Sequence, residues 1–238
     1  DPLAAVFAED PYIAEDAAEL IEIDAEPLRV ITSGDDEPGD FVTGLSSEAA
    51  LLTHSFGDIE AAFADAHKVI EIDLFTGRHS GVAMETRGAL GVWEADTETL
   101  RLYGAAKVPH RNRDTLVRML GLEPDKIVLH EGHTGGGFGI RGELYPEDVL
   151  VLVAARRLGR PVKWIEDRQE HMMAANQGRN QHHRARIAVD ENGLILGIDD
   201  EFWHDQGGYI RTHGANVPNR TMCMMTGAYK VQAYRALC

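Results

Sequence analysis

Four glycines fall within five positions in the run Gly135-Gly136-Gly137-Phe138-Gly139, and no other feature restricts the fold of this chain so tightly. Without Cβ atoms the backbone takes turns closed to other residues, and its N–H groups can approach a ligand closely. Residues 126–130, with Ile127, Val128 and Leu129, predict a strand entering the loop. On the far side Pro146 suits the first turn of a helix, and Glu147 and Asp148 favour that helix's positive end. Its continuation over 148–158 is so apolar, from Val149 to Val153, that the helix is expected to be buried all round. A plain tight turn between strand and helix explains the glycines equally well. An aromatic residue such as Phe138 is unusual in a pure phosphate cradle.

Elsewhere the periodicity mixes element types. Strands are predicted at 3–7, 21–23 and 69–74, and helices over 11–20, from Asp58 to about 66, and over 113–120. Segments 89–93 and 100–103 flank a polar turn, and 185–189 and 194–198 flank Asn192-Gly193, giving two hairpins. No regular βαβ rhythm emerges, so the expected class is α+β, mixed helices and antiparallel hairpins. The Gly-, Asp- and Pro-rich stretch 33–46 is the best boundary, separating 1–45 from 46–238. The chain begins at Asp1-Pro2 without a Met and stops at Cys238, inside an extended run from Tyr229 onward. It therefore reads as a fragment or one piece of a split subunit.

Over 238 residues the formal net charge is −16, which argues against a nucleic-acid partner, because phosphate binding needs clustered Lys and Arg. Acidity of this kind fits a cytoplasmic protein. The only cysteines are Cys223 and Cys238, too few for a disulfide framework and outside any Cys-x-x-Cys motif, so the chain is expected to hold no iron–sulfur cluster. No membrane span and no signal peptide are visible. His110, His130, His133, His182 and His183 lack carboxylates at zinc spacing and are read as structural or surface residues. Glu166-Asp167-Arg168 is read as an ion-paired strand end, and Met172, Met173, Met222, Met224 and Met225 as core.

Together with Arg160-Pro161-Val162-Lys163-Trp164-Ile165-Glu166-Asp167-Arg168, the glycine loop resembles the molybdenum-binding large subunit of the xanthine dehydrogenase/aldehyde oxidase family. Arg78-His79, Met84-Glu85-Thr86-Arg87-Gly88, Pro109-His110 and Gly207-Gly208-Tyr209 extend the likeness, in order, over nearly the whole chain. The resemblance implies that 46–238 is a first molybdopterin-binding domain, truncated at its C-terminus, and that 1–45 is the tail of a preceding α/β domain plus linker. It implies oxidative hydroxylation of an N-heterocycle or aldehyde carbon, with water as the oxygen source. Electrons would leave through iron–sulfur and FAD partner chains. The cofactor would be molybdopterin with molybdenum, in its cytosine dinucleotide form.

The same resemblance assigns Gly136, Gly137, Phe138, Gly139, Lys107 and Arg141 to cofactor binding, with no catalytic residue and no metal ligand in this chain. The base, a Glu, would belong to the remaining half of the large subunit. Phe138 would shield the centre from water. His79 and Glu85-Thr86-Arg87 are expected to make structural hydrogen bonds near the site. Lys107 stands where purine- and aldehyde-oxidising members carry a Gln, and Gly142 replaces a Glu that contacts substrate in purine-type members. Both departures argue against xanthine as substrate. Two other readings stay open: a non-catalytic binding or assembly module, and a dinucleotide-binding oxidoreductase using the G-x-G-x-x-G match at 137–142.

Overall fold

The computed structural model describes residues 2–42, 44–104, 108–208 and 210–238. In chain order the elements are α1 (Pro11–Ala18), β1 (Asp40–Val42), β2 (Leu45–Ser46), β3 (Thr53–Phe56), α2 (Ile59–Ala64), β4 (Lys68–Ser80), β5 (Gly88–Glu94), β6 (Thr99–Gly104), α3 (Pro109–Leu120), β7 (Ile127–His130), α4 (Pro146–Leu158), β8 (Val162–Ile165), α5 (Arg168–Ala174), β9 (Gln177–Val189), β10 (Ile195–His204), α6 (Asn216–Met224) and β11 (Ala233–Leu237). Helices and largely antiparallel sheets are interleaved, as the α+β expectation has it. Two compact units result, Asp1–Ala25 with Ser80–Gln177, and Glu26–His79 with Gly178–Cys238.

The first unit is built on a four-stranded sheet of order β7-β6-β5-β8. β5 and β6 form the expected hairpin, with Ala89 opposite Gly104 and Glu94 opposite Thr99. β7 runs parallel to β6, placing Ile127 beside Leu100. Helix α4 lies against β5 so closely that a Cβ on Gly91 would stand 2.5 Å from the Val151 carbonyl oxygen, so this approach requires glycine. Ala89, Leu100, Leu102, Leu116, Ile127, Val151 and Leu152 form the core beneath it. Burial of each larger side chain there contributes about 1.5–3 kcal/mol.

Two expectations about this unit are corrected. Helix α4 buries Val151, Leu152, Ala154 and Ala155, but Leu158 is 55% exposed and Arg156 and Arg157 face solvent. The sheet covers only one side of it, so its apolar sequence does not make it a fully enclosed helix. The dinucleotide reading also fails. β7 and β8, the strands before and after α4, are separated in the sheet by the antiparallel β6–β5 hairpin, whereas the dinucleotide fold carries its glycine motif in a mostly parallel sheet of successive βαβ units. A 3₁₀ turn at Ile140–Gly142 further separates the glycines from α4.

The second unit carries a five-stranded sheet of order β3-β11-β10-β9-β4. The Asn192-Gly193 hairpin is present. Asp190 accepts from the amides of Asn192 and Leu194 at 2.8 Å, and Gly193 takes φ +83°. β11 pairs parallel to β10 and antiparallel to β3, with Ala236 opposite His54. Asp58 caps α2 by accepting from the Ala61 amide at 2.9 Å. Ile198, Phe202, Met222, Tyr234 and Ala236 form this unit's core.

Segments 3–7 and 21–23 form no strand. Leu3 and Ile23 are 73% and 63% exposed, because no described strand lies beside them to satisfy an extended backbone. The 33–46 stretch includes the short β1–β2 pair, α3 begins at Pro109, and α5 and α6 were not expected from periodicity. Among the described residues no helix is long and apolar enough to cross a membrane.

Candidate functional site

The glycine loop leaves β7 and turns through three left-handed residues, Gly136 (φ +105°), Phe138 (φ +49°) and Gly139 (φ +97°). Glycine takes this conformation freely, whereas Phe138 pays roughly 1–2 kcal/mol for it. The Phe138 ring is 76% exposed, so it is not a plug in the core. The ring folds over Gly136, where a Cβ would stand 2.9 Å from it. Cβ atoms built on Gly137 and Gly139 would meet nothing within 4 Å.

Glu85 and Arg141 hold this shape. Glu85 accepts from the Gly135 amide at 2.9 Å through Oε2, and its own amide donates to the Gly135 carbonyl at 3.2 Å. Arg141, only 5% exposed, donates from Nε to the Gly136 carbonyl at 2.9 Å. Its Nη2 reaches the carbonyls of Glu85 and Thr86 at 2.7 and 2.8 Å. The loop closes on itself through Ile140 N–H to Gly137 O at 2.9 Å and Gly142 N–H to Gly139 O at 3.2 Å. Among the described residues, the amides of Gly136, Gly137, Phe138 and Gly139 donate to no acceptor. A fixed row of free donors results, suited to anionic oxygens.

Arg141 also lines a small cavity with Arg87, Glu143, Tyr145, Asp148 and Trp164. Here Arg87 lies 3.8 Å over the Tyr145 ring and 5.2 Å over Trp164. Its Nε donates to Glu166 Oε1 at 2.8 Å, its amide to Oε2 at 3.0 Å, and its Nη2 closes the ion pair. His171, fully buried, completes the set with Nδ1 at 2.7 Å from Glu166 Oε2. Burial alone would raise the Glu166 carboxyl, but the hydrogen bonds from Arg87 and then His171 outweigh it and hold it below its ordinary value. Asp148 goes the other way: burial pushes it up to about 6, against the Tyr145 amide that it accepts at 2.9 Å.

Gly136, Gly137, Phe138, Gly139 and Arg141 are thus brought together in one unit, while Lys107 and Tyr209 lie outside the described residues. The histidines are engaged elsewhere: His130 stacks on Tyr103 at 4.5 Å, His182 meets Asp73 at 2.9 Å and His183 meets Asp200 at 2.7 Å. Among the described residues no three His, Cys, Asp or Glu side chains are placed to hold a metal ion. Glu166 is ion-paired as expected, and Asp167 caps α5 by accepting from the Glu170 amide at 2.7 Å. Met222 is core, but Met173 and Met224 are 70% and 72% exposed. Residue-by-residue reading did not single out Glu143 and Tyr145, although Asn176 donates to both, at 2.9 and 3.1 Å. Their one signal was proximity to the glycine loop.

The sequence model of the family described as molybdopterin cofactor-binding domain matches residues 43–238. The chain is 40% identical to the 6-hydroxypseudooxynicotine dehydrogenase complex subunit gamma of Paenarthrobacter nicotinovorans, over 99% of its own length and 30% of that protein's. It is 31% identical to the nicotine 6-hydroxylase large subunit of the same organism, over 96% of its own length and 28% of the relative's. Its fold matches quinoline 2-oxidoreductase from Pseudomonas putida 86 with a TM-score of 0.86 and 29% identity, covering 97% of this chain and 30% of that one. The chain therefore spans under a third of the length of these relatives.

Proposed function

Because this chain belongs to the molybdopterin cofactor-binding domain family of the molybdenum hydroxylases, we propose that its 135–139 loop cradles molybdopterin. The whole enzyme would oxidatively hydroxylate a carbon of an N-heterocycle or aldehyde with water as the oxygen source. When bound, the cofactor supplies the redox centre of that reaction, in its cytosine dinucleotide form. The observation that carries this reading is the row of unspent amides from Gly136 to Gly139, held in a left-handed turn with open space above Gly137 and Gly139. Such donors need no rearrangement when an anionic group arrives.

Each residue has a part in this reading. The amides of Gly136, Gly137, Phe138 and Gly139 bind the cofactor's polar atoms, and the Phe138 ring keeps water from them. Arg141 and Glu85 position the loop from below. Lys107 adds a positive charge that favours anionic ligands on the cofactor. Residues 46–238 form the first cofactor-binding domain and 1–45 the end of a preceding one. The base is supplied by the rest of the large subunit, and iron–sulfur and FAD chains in the cytoplasm take the electrons.

Gly137→Ala tests the cradle. Gly137 has no left-handed φ and a Cβ there meets nothing within 4 Å, so folding stability is expected to stay within about 0.5 kcal/mol. Molybdenum and released cytidine monophosphate, measured in the purified complex, are expected to fall several-fold. Unchanged content of both would reject the cradle. A wild-type complex without molybdenum would return the chain to a non-catalytic binding module.

A further inference from the structure

We propose that Cys223, His54 and Asn219 form a reactive-thiol site at which Cys223 adds covalently to electrophiles of the α,β-unsaturated carbonyl class. All three residues belong to the second unit, and the cofactor reading uses none of them. Asn219 and Cys223 are four apart on α6, so they share a helix face. His54 comes from β3, where the ladder to Ala236 of β11 fixes its backbone.

The geometry orders them as nucleophile, base and orienter. Cys223 Sγ lies 3.7 Å from His54 Nδ1, and His54 Nε2 lies 3.0 Å from Asn219 Oδ1. An amide oxygen only accepts, so the ring proton sits on Nε2 and Nδ1 presents its lone pair to the thiol. That pattern activates a nucleophile whenever the base is held by a third group. Cys223 is exposed, so an electrophile can reach it. Cys238 supplies an internal contrast, because burial pushes its thiol up to about 11.

In the reaction His54 Nδ1 takes the thiol proton as sulfur bonds to the β-carbon of the acceptor. The C=C π pair moves to the α-carbon, which takes a proton back. Nothing leaves and nothing is oxidised, so the neutral imidazole is restored.

The test uses N-ethylmaleimide on the purified protein near neutral pH, with adducts at both cysteines quantified by peptide mass spectrometry against time. Cys223 is expected to react at least ~10-fold faster than glutathione under the same conditions, since a positioned base contributes that much or more. Cys238 is expected to lag far behind. His54→Gln, with folding verified by circular dichroism, is expected to bring Cys223 down to the glutathione rate. Asn219→Ala takes its place under the same criterion should that variant not fold. A wild-type rate no faster than glutathione's, or a rate unchanged in the folded variant, overturns the site.

Discussion

Arg141 grips Glu85 at both ends, donating through Nη2 to its carboxylate at 3.0 Å and to its backbone carbonyl at 2.7 Å, across 56 residues of sequence. Through Nε the same guanidinium holds the Gly136 carbonyl at 2.9 Å. The loop conformation therefore depends on a planar fork of donors more than on the glycines alone.

Removal of that fork should cost stability. Arg141→Ala leaves several partly buried oxygens without their donor, and a loss of about 2–3 kcal/mol is expected. Arg141→Lys should recover less than half of it, because an ammonium cannot span the four acceptors at once. Urea midpoints of the two variants check this, and a full rescue by Lys would contradict the fork.

Glu166 should make the protein acid-labile. Its carboxyl is held below its ordinary value of 4.5, so its stabilisation is present above that pH and is lost as pH falls through the lower folded-state value. Glu166→Gln breaks a buried pair with Arg87 and is expected to cost roughly 3–5 kcal/mol at pH 7. The gap from wild type should narrow as pH falls from 4.5 through the lower folded-state value, where the wild-type carboxyl takes up its proton as well. Denaturation curves at pH 7 and through the acid range measure the difference.

Asp148 should act in the opposite direction. Its carboxyl is raised from 3.8 to about 6, so its favourable contribution is complete below the lower value and disappears as pH rises through the upper one. At about 1.4 kcal/mol per pH unit, the swing is on the order of 3 kcal/mol. Asp148→Asn keeps an acceptor for the Tyr145 amide but cannot ionise, so its stability should be flatter from pH 4 to pH 7 than that of wild type. A wild-type profile without this decline would remove the assignment.

Under the proposed cradle, Gly139 and Lys107 variants should separate folding from cofactor loading. Gly139→Val places a β-branched residue at φ +97° and is expected to cost about 1–2 kcal/mol while blocking molybdenum incorporation. Lys107→Met, similar in length but uncharged, should lower turnover of the assembled enzyme with stability unchanged. Metal content and thermal midpoints, measured together, distinguish the two effects. Unchanged molybdenum in Gly139→Val would leave the loop without its proposed ligand.

The sequence by itself determined whatever depends on a few neighbouring residues. Asp58 as a cap, Pro146 as a helix start, Asn192-Gly193 as a hairpin turn and the left-handed glycines of the loop are local backbone preferences, and each is present. Tertiary structure decided whatever depends on partners distant in sequence. Leu3 to Phe7 carries an apolar, strand-like pattern but forms no strand, because a strand needs a neighbour and the described chain places none there. Arg87 and Glu166 were visible as residues of a family motif, but their burial with His171 as one hydrogen-bonded group came only from β5, β8 and α5 meeting. Glu85 beneath the loop and Asn219 behind His54 are of the same kind. A polar side chain's role is set by which other polar group the folded path brings within about 3 Å, and sequence spacing carries no trace of that distance.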